Sequence, residues 1–403
     1  MNRILTAMVF GAGIAGGYAA GLGLWQVTDL PARIWGATAL SGDAAVWVAA
    51  DNNGVVWVST NASGSWATNS AFSIWRTAAC SSNGTVVLAG SNWGNIGVST
   101  NSGQTWSMTG PYPDGGPGAG VTSVACSADG RAMAAVMAAV GGTNGPLYLS
   151  ADSGSTWTAA KLPGTAWYGV AMSADGRAIL AVGQQVYESR DSGVSWKPMG
   201  VPSFDYWQQA AMSADGSKLV VASSATAAGG VYVSTDSGLS WSLRPVGAYL
   251  STTALAYSGD GTKLVLSGAV SSPRAGAVFV STDFGATWNL DAAAPGQLSS
   301  IALSADGTKL LGVMGQSGGS VMSVNVYQAQ YPPTRQVFMD QRNGNFVLWW
   351  SSALTNFGIE ATADLTSSWT AMTPAPVYNQ ANYRAEMELP PTNASGFFRL
   401  APY

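Results

Sequence analysis

Few side chains in this 403-residue sequence are suited to acid–base or nucleophilic work. There is no histidine, which removes His-based triads, imidazole metal ligands and imidazole general bases. The two cysteines, Cys80 and Cys126, are too few for a disulfide framework or a cysteine zinc site. They read as buried apolar fillers with free thiols, a disulfide between them being the alternative. Glu188 is the only glutamate before residue 360. Ten aspartates before residue 328 fall in two repeated turn motifs, which leaves Asp29, Asp51, Asp114, Asp205 and Asp291. Inverting hydrolysis by two aspartates needs carboxylates about 6.5–9.5 Å apart. Asp51 and Asp205 fall in the right kind of loop, but in well-separated repeat units. No cofactor and no metal are expected.

The aromatic residues are more informative. Trp35, Trp75, Trp167 and Trp207 each stand six residues before a serine that opens a repeated turn; Val121, Thr252 and Leu298 hold the equivalent places. Arg33, Arg76, Tyr168, Asp205, Tyr206 and Gln208 accompany them, and Trp93 joins from a neighbouring loop. Flat apolar faces beside hydrogen-bonding groups suit sugar rings or a partner's loop. Tryptophan at a repeating register also suits plain packing between structural units, and both readings are open.

The elements that position these residues are repeats. Ser-x-Asp-Gly occurs at Ser127, Ser173, Ser213, Ser258 and Ser304, with weaker copies at Ser81 and Ser41, spaced 40, 46, 46, 40, 45 and 46 residues apart. A unit of 40–50 residues that reads as four short strands is a propeller signature. A second motif, Ser-x-Asp-x-Gly-x-[Ser/Thr]-Trp, recurs at Ser99–Trp106, Ser150–Trp157, Ser189–Trp196, Ser234–Trp241 and Ser281–Trp288, and in worn form at Ser59–Trp66. Its acidic or amide residue (Asn61, Asn101, Asp152, Asp191, Asp236, Asp283) folds back on backbone N–H groups and its glycine takes a positive φ, closing a tight turn. The seventh unit lacks this motif. Trp25-Gln26-Val27-Thr28-Asp29-Leu30-Pro31 matches the segment that starts at a motif tryptophan, as in Trp157 to Pro163. Residues from 24 onward are therefore expected to supply the outer strand of the last unit and close the ring. Two residues before each turn serine stands an alanine (Ala39 to Ala302), and one residue before it a bulkier side chain (Leu40, Cys80, Cys126, Met172, Met212, Tyr257, Leu303). Neighbouring units can then pack small against large.

The second motif resembles the Asp-box (BNR) repeat of sialidases, sortilin-type receptors, xyloglucan hydrolases and photosystem assembly factors, in which the box is structural. The resemblance covers residues 24–327 and implies an all-β fold, a seven-bladed β-propeller. No sialidase site transfers. Glu188 immediately precedes box residue Ser189, where other repeats carry Val58, Val98, Leu149, Val233 and Val280, and it is expected to pair with Arg190 or Arg177. Arg33-Ile34 is followed by Trp35 where that family has proline.

Residues 1–23 resemble a secretory signal peptide, with Arg3 ahead of the apolar run Ile4 to Gly23; a membrane anchor is the alternative. Residues 328–336 read as a linker and 337–403 as a small C-terminal β-sandwich similar to fibronectin-type-III-like modules of secreted bacterial proteins. Net charge is −4 with no basic run, which leaves no footprint for nucleic acid. The expected function is that of an exported, non-catalytic binding or scaffold propeller, secreted or at the cell surface, monomeric, and off the membrane once the signal is cleaved. It would engage extracellular protein or glycan at the channel mouth through Trp35, Trp75, Arg76, Trp167, Tyr168, Asp205, Tyr206 and Trp207. A glycoside hydrolase is the runner-up. An assembly factor like the photosystem chaperone would need a basic patch that the sequence does not show.

Overall fold

The computed structural model describes residues 24–62, 64–70, 74–112, 120–138, 145–162, 166–201, 206–223, 230–246, 250–271, 274–314, 326–331, 338–342, 345–351, 357–362, 370–372, 376–379, 384–389 and 397–402. The expected signal segment 1–23 lies outside them. Two compact units emerge, one spanning Gly21–Tyr331 and the other containing Pro332–Tyr403.

The first unit is a ring of seven four-stranded antiparallel sheets. In blade 1, strands A to D are Trp35–Leu40, Trp47–Asp51, Val55–Ser59 and Ala67–Ser70, hydrogen-bonded in that order. Strand A is innermost and lines the channel. Strand B is buried along its whole length in blades 1 to 5, which follows from its continuous apolar sequence (Leu219–Ser223 is Leu-Val-Val-Ala-Ser) between two neighbouring sheets. Strand D is short and exposed, as in Thr158–Ala159 and Lys197–Pro198.

The ring closes as the sequence predicts. Leu24–Val27 pairs antiparallel with Val326–Gln330, with Trp25 opposite Ala329. The last blade therefore draws strands A to C from the C-terminal end of the ring and strand D from its N-terminal end. Its third strand runs to Gln330, so residues 328–330 belong to the sheet and not to a linker. No sheet edge is left between first and last blade.

Blade packing follows the alanine row. Ala39 shares a core cluster with Cys80, Ala79 with Cys126, Ala125 with Met172, Ala171 with Met212, and Ala302 with Leu40. In these five blade pairs the small residue packs in one cluster with the large one of the next blade. Both thiols are free.

The Ser-x-Asp-Gly turns make a second, backbone connection. In blade 3, Ser127 Oγ donates to Asp129 Oδ1 at 2.6 Å and the Arg131 N–H to the same oxygen at 2.9 Å, while Gly130 takes φ 71°. The residue after each turn serine, or its neighbour in blade 1, then bonds to the next blade. N–H groups of Asp43, Ser82, Ala128, Ala174, Ala214, Gly259 and Ala305 donate to carbonyls of Ser82, Ala128, Ala174, Ala214, Gly259, Ala305 and Gly42, at 2.7–3.3 Å. The circle is complete.

Among the described residues, the second unit forms two antiparallel sheets. One orders Phe338–Arg342, Asn345–Ser351, Arg384–Leu389 and Val377–Asn379; the other orders Thr370–Ala371, Phe357–Thr362 and Phe397–Pro402. Val347, Leu348, Trp349, Trp350 and Met387 are its buried residues among those described.

Candidate functional site

Strand A begins at the channel mouth, and in every blade it begins with a β-bulge. The register shifts between Trp35 and Ala37, Trp75 and Thr77, Val121 and Ser123, Trp167 and Gly169, Trp207 and Gln209, Thr252 and Ala254, and Leu298 and Ser300. A bulge sets two residues against one, so the extra residue is re-aimed relative to simple alternation. The residue before the bulge is buried between sheets in all seven blades. The bulge residue itself (Gly36, Arg76, Thr122, Tyr168, Gln208, Thr253 or Ser299) is half-buried or exposed.

This corrects the expectation for the tryptophans. Trp35, Trp75, Trp167 and Trp207 are 4%, 0%, 3% and 1% exposed. Each packs inside the sheet stack, three of them on an aromatic residue of strand C in their own blade. Trp35 meets Trp57 with ring centroids 6.2 Å apart, Trp167 meets Tyr187 at 5.7 Å, and Trp207 meets Tyr232 at 5.6 Å. Blade 2 has Gly97 at that strand C position; a Cβ there would lie 2.8 Å from the Trp75 ring, and Trp106 packs on Trp75 instead, at 6.3 Å. These indoles are wedges and present no contact surface at the mouth.

The bulge residues do line the mouth. A cavity of about 160 Å³ there is bounded by six of them, Arg76, Thr122, Tyr168, Gln208, Thr253 and Ser299. Gly36 completes the ring: a Cβ on it would lie 1.9 Å from the Trp75 carbonyl oxygen, so only glycine allows blades 1 and 2 to approach this closely. Arg76 is exposed, with NH1 donating to Asn92 Oδ1 at 3.0 Å. Tyr168 stands edge-on to Tyr206 at 5.9 Å, and Tyr206 is 44% exposed. Trp93, in the strand B to C turn of blade 2, is also exposed. Asp205 falls outside the described residues.

Two further charged groups at this end, Arg33 and Asp51, are engaged with each other. Arg33 NH1 sits 2.9 Å from Asp51 Oδ2, with its guanidinium 5.4 Å from the Trp57 ring centroid. Asp51 is fully buried and its other oxygen accepts the N–H groups of Asn53 and Val55. That carboxylate holds a turn.

Glu188 pairs with Arg190, NH2 to Oε1, at 2.5 Å, and lies opposite Lys197 on strand D. Burial raises its pKa, against the pull of Arg190 and Lys197. The box residues behave as turn formers. Asp191 Oδ1 accepts the Ser195 N–H at 2.9 Å and the Ser189 hydroxyl at 2.8 Å, while Oδ2 accepts the Ser195 hydroxyl at 2.5 Å. Ser192 and Gly193 both take positive φ, 59° and 87°. Asn101 replaces a carboxylate without loss of the turn: Oδ1 accepts the Thr105 N–H and Nδ2 donates to Thr105 Oγ1, both at 2.9 Å. Asn61, Asp152, Asp236 and Asp283 repeat the pattern.

Beyond the wedges, the sequence reading did not single out Gly36, Thr122, Thr253 and Ser299. The available signal was variability: aligned on the turn serine, the bulge position is the one in strand A where arginine, tyrosine, glutamine, threonine, serine and glycine all occur.

The sequence matches no protein-family model and none of the curated proteins compared with it. Among solved structures it is similar to YCF48 bound to D1 peptide, with 16% identity and a TM-score of 0.54 over 82% of this chain and 100% of that one. It is also similar to YCF48 from Cyanidioschyzon merolae, with 13% identity and a TM-score of 0.55 over 76% of this chain and 98% of that one. What the chain shares with both is the fold, a seven-bladed β-propeller.

Proposed function

We propose that this chain is a non-catalytic binding propeller that holds a segment of a partner protein at the channel mouth. The observation that carries the reading is the ring of bulge residues, which presents a polar or aromatic group from each of six blades to one cavity. Arg76 is the only charged side chain lining that cavity among the described residues, beside the hydroxyls and amides of Thr122, Tyr168 and Gln208. Such a surface matches the alternating carbonyl and N–H groups of an extended peptide, with exposed Tyr206 and Trp93 as flat apolar faces around it. That a structure with the same fold is of YCF48 bound to a D1 peptide supports peptide over glycan. We also read the repeats as Asp boxes, the C-terminal unit as a fibronectin-type-III-like sandwich and residues 1–23 as an export signal, so that the protein would work outside the cytoplasm.

The test is a peptide array and a glycan array probed with the purified protein and with Arg76→Ala and Tyr168→Ala variants. Peptide binding that both substitutions weaken at unchanged melting temperature supports the reading. Binding confined to glycans, or indifferent to both substitutions, overturns it.

A further inference from the structure

The seam between blades 3 and 4 holds a cavity of about 490 Å³, well above the about 160 Å³ at the mouth. Blade 3 lines it with its Ser-x-Asp-Gly turn, the end of strand C and the whole of strand D. Blade 4 lines it with its own turn and with the box residues Ser192, Gly193 and Val194.

One position, three residues after the box tryptophan, explains why this seam is open. In blades 1 to 4 it is held by Asn69, Thr109, Ala160 and Met199, each bonded or paired near the start of strand C, at Val56, Ile96, Leu147 and Val186. Asn69 donates its amide to the Gly103 carbonyl in the box of blade 2, and Thr109 its hydroxyl to the Gly154 carbonyl in the box of blade 3. Met199 covers Gly238 in the box of blade 5, where an added Cβ would lie 2.7 Å from its Sδ. Ala160 does not reach that far: the atoms nearest a Cβ on Gly193 belong to Leu149 and Trp196. Arg244, Asp291 and Thr28 hold the position in the other blades, so Ala160 is the smallest side chain of the set.

We infer that this seam is a socket for an aromatic side chain of a partner polypeptide, seated where Met199 fills the corresponding seam from within. The neighbouring seams show the kind of occupant: one side chain that reaches the next blade's box. The socket is walled by Met133, Leu149, Met172, Ile179 and Ala160, and thioethers such as those of the two methionines make favourable contacts with aromatic rings. Its volume lies in the range of about 300–1,000 Å³ that accepts a ring and the atoms carrying it. Charges on the lining cancel, Arg131 and Lys161 against Asp129 and Asp175, and Oδ1 of each carboxylate accepts a backbone N–H within its own turn. An ionised anchor therefore gains no net attraction, whereas an apolar one gains burial. Val194, 78% exposed, forms an apolar lip on the blade 4 side. Aromatic anchors in such pockets carry much of the energy of protein interfaces. The socket is built from turn, box and strand D residues and shares none with the mouth, so it is a second and independent interaction surface.

The experiment labels the methionine methyls of the full chain for NMR and titrates it with capped pentapeptides, acetyl-Gly-Ser-X-Ser-Gly-amide, in which X is Trp, Tyr, Asp or Lys. The Trp and Tyr peptides should shift the Met133 and Met172 methyl signals saturably, and the Asp and Lys peptides should leave them in place. Ala160→Met, which supplies the plug that Met199 provides one seam further on, should weaken the aromatic peptides at least about tenfold at an unchanged melting temperature. Val194→Asp, on the exposed lip, should weaken them as well. Aromatic peptides that leave both signals unmoved, a preference for the Asp or Lys peptide, or shifts that persist in folded Ala160→Met overturn the proposal. Should Ala160→Met not fold, affinity unchanged by Val194→Asp overturns it.

Discussion

Trp25 Nε1 donates to Asp291 Oδ2 at 2.9 Å although the residues stand 266 positions apart. Tyr331 donates its hydroxyl to the same oxygen at 2.9 Å, and Asp291 is 2% exposed. One carboxylate thus gathers the first strand of the propeller and the residue just after its last. Replacing Asp291 by Ala leaves an indole N–H and a phenol without their acceptor, at a cost of about 2–4 kcal/mol. Asp291→Asn keeps an acceptor and should cost less than half of that. Urea unfolding of both variants checks the ranking; equal midpoints would show that the clasp adds nothing to closure.

Wedge and mouth residues separate by what their loss changes. Trp167→Ala and Trp207→Ala remove buried indoles and should destabilise the propeller by about 3–5 kcal/mol while leaving ligand affinity of the folded fraction intact. Arg76→Ala and Tyr168→Ala should do the reverse, lowering affinity by about 1–2 kcal/mol at an unchanged melting temperature. Calorimetric unfolding and binding isotherms on the same four variants make the comparison.

The acidic box turns make stability depend on pH. The Thr156 hydroxyl and N–H hold Asp152 at a pKa of about 2, and the Ser195 hydroxyl and N–H hold Asp191 at about 2, against an ordinary 3.8. A carboxylate with a lowered folded-state pKa stabilises above its unfolded value and loses that contribution as pH falls from about 4 through about 2. Asn101 shows that an amide keeps the turn. Asp152→Asn with Asp191→Asn should therefore fold normally and lose less stability than the parent between about pH 5 and about pH 2.5, read from urea midpoints at each pH.

Glu188 lies at the box end of strand C, away from the mouth, and its partner Arg190 is 43% exposed. Glu188→Gln should leave peptide binding unchanged and alter stability by about 1 kcal/mol or less. A tenfold loss of binding would give this residue a role that its position does not explain.

The repeat spacing, the turn-forming boxes, the alanine row and the closing strand at Trp25 were legible because each depends on residue type at a fixed interval. The mouth was not, because a bulge is a property of backbone pairing. Gly36, Arg76 and Thr122 share no chemistry that marks an inserted residue, yet the insertion turns the next side chain to the other face. Position counted from the turn serine therefore placed the indoles at the mouth and gave no reason to single out Thr122, Thr253 and Ser299. Gln330 was misplaced for a simpler reason: the prolines at 332 and 333 are a linker signal, but they begin two residues after the strand has ended.

The circle of hydrogen bonds from Asp43 round to Ala305 and back to Gly42 is a hoop without a free end. Every link sets the spacing of its neighbours, so a lost or duplicated blade cannot be absorbed at one joint; the whole circumference would have to be redrawn. Repeat number is in that sense counted by the main chain. Side chains on the outer strands and at the mouth are left out of the count, and so they are free to diverge while the number of blades stays the same.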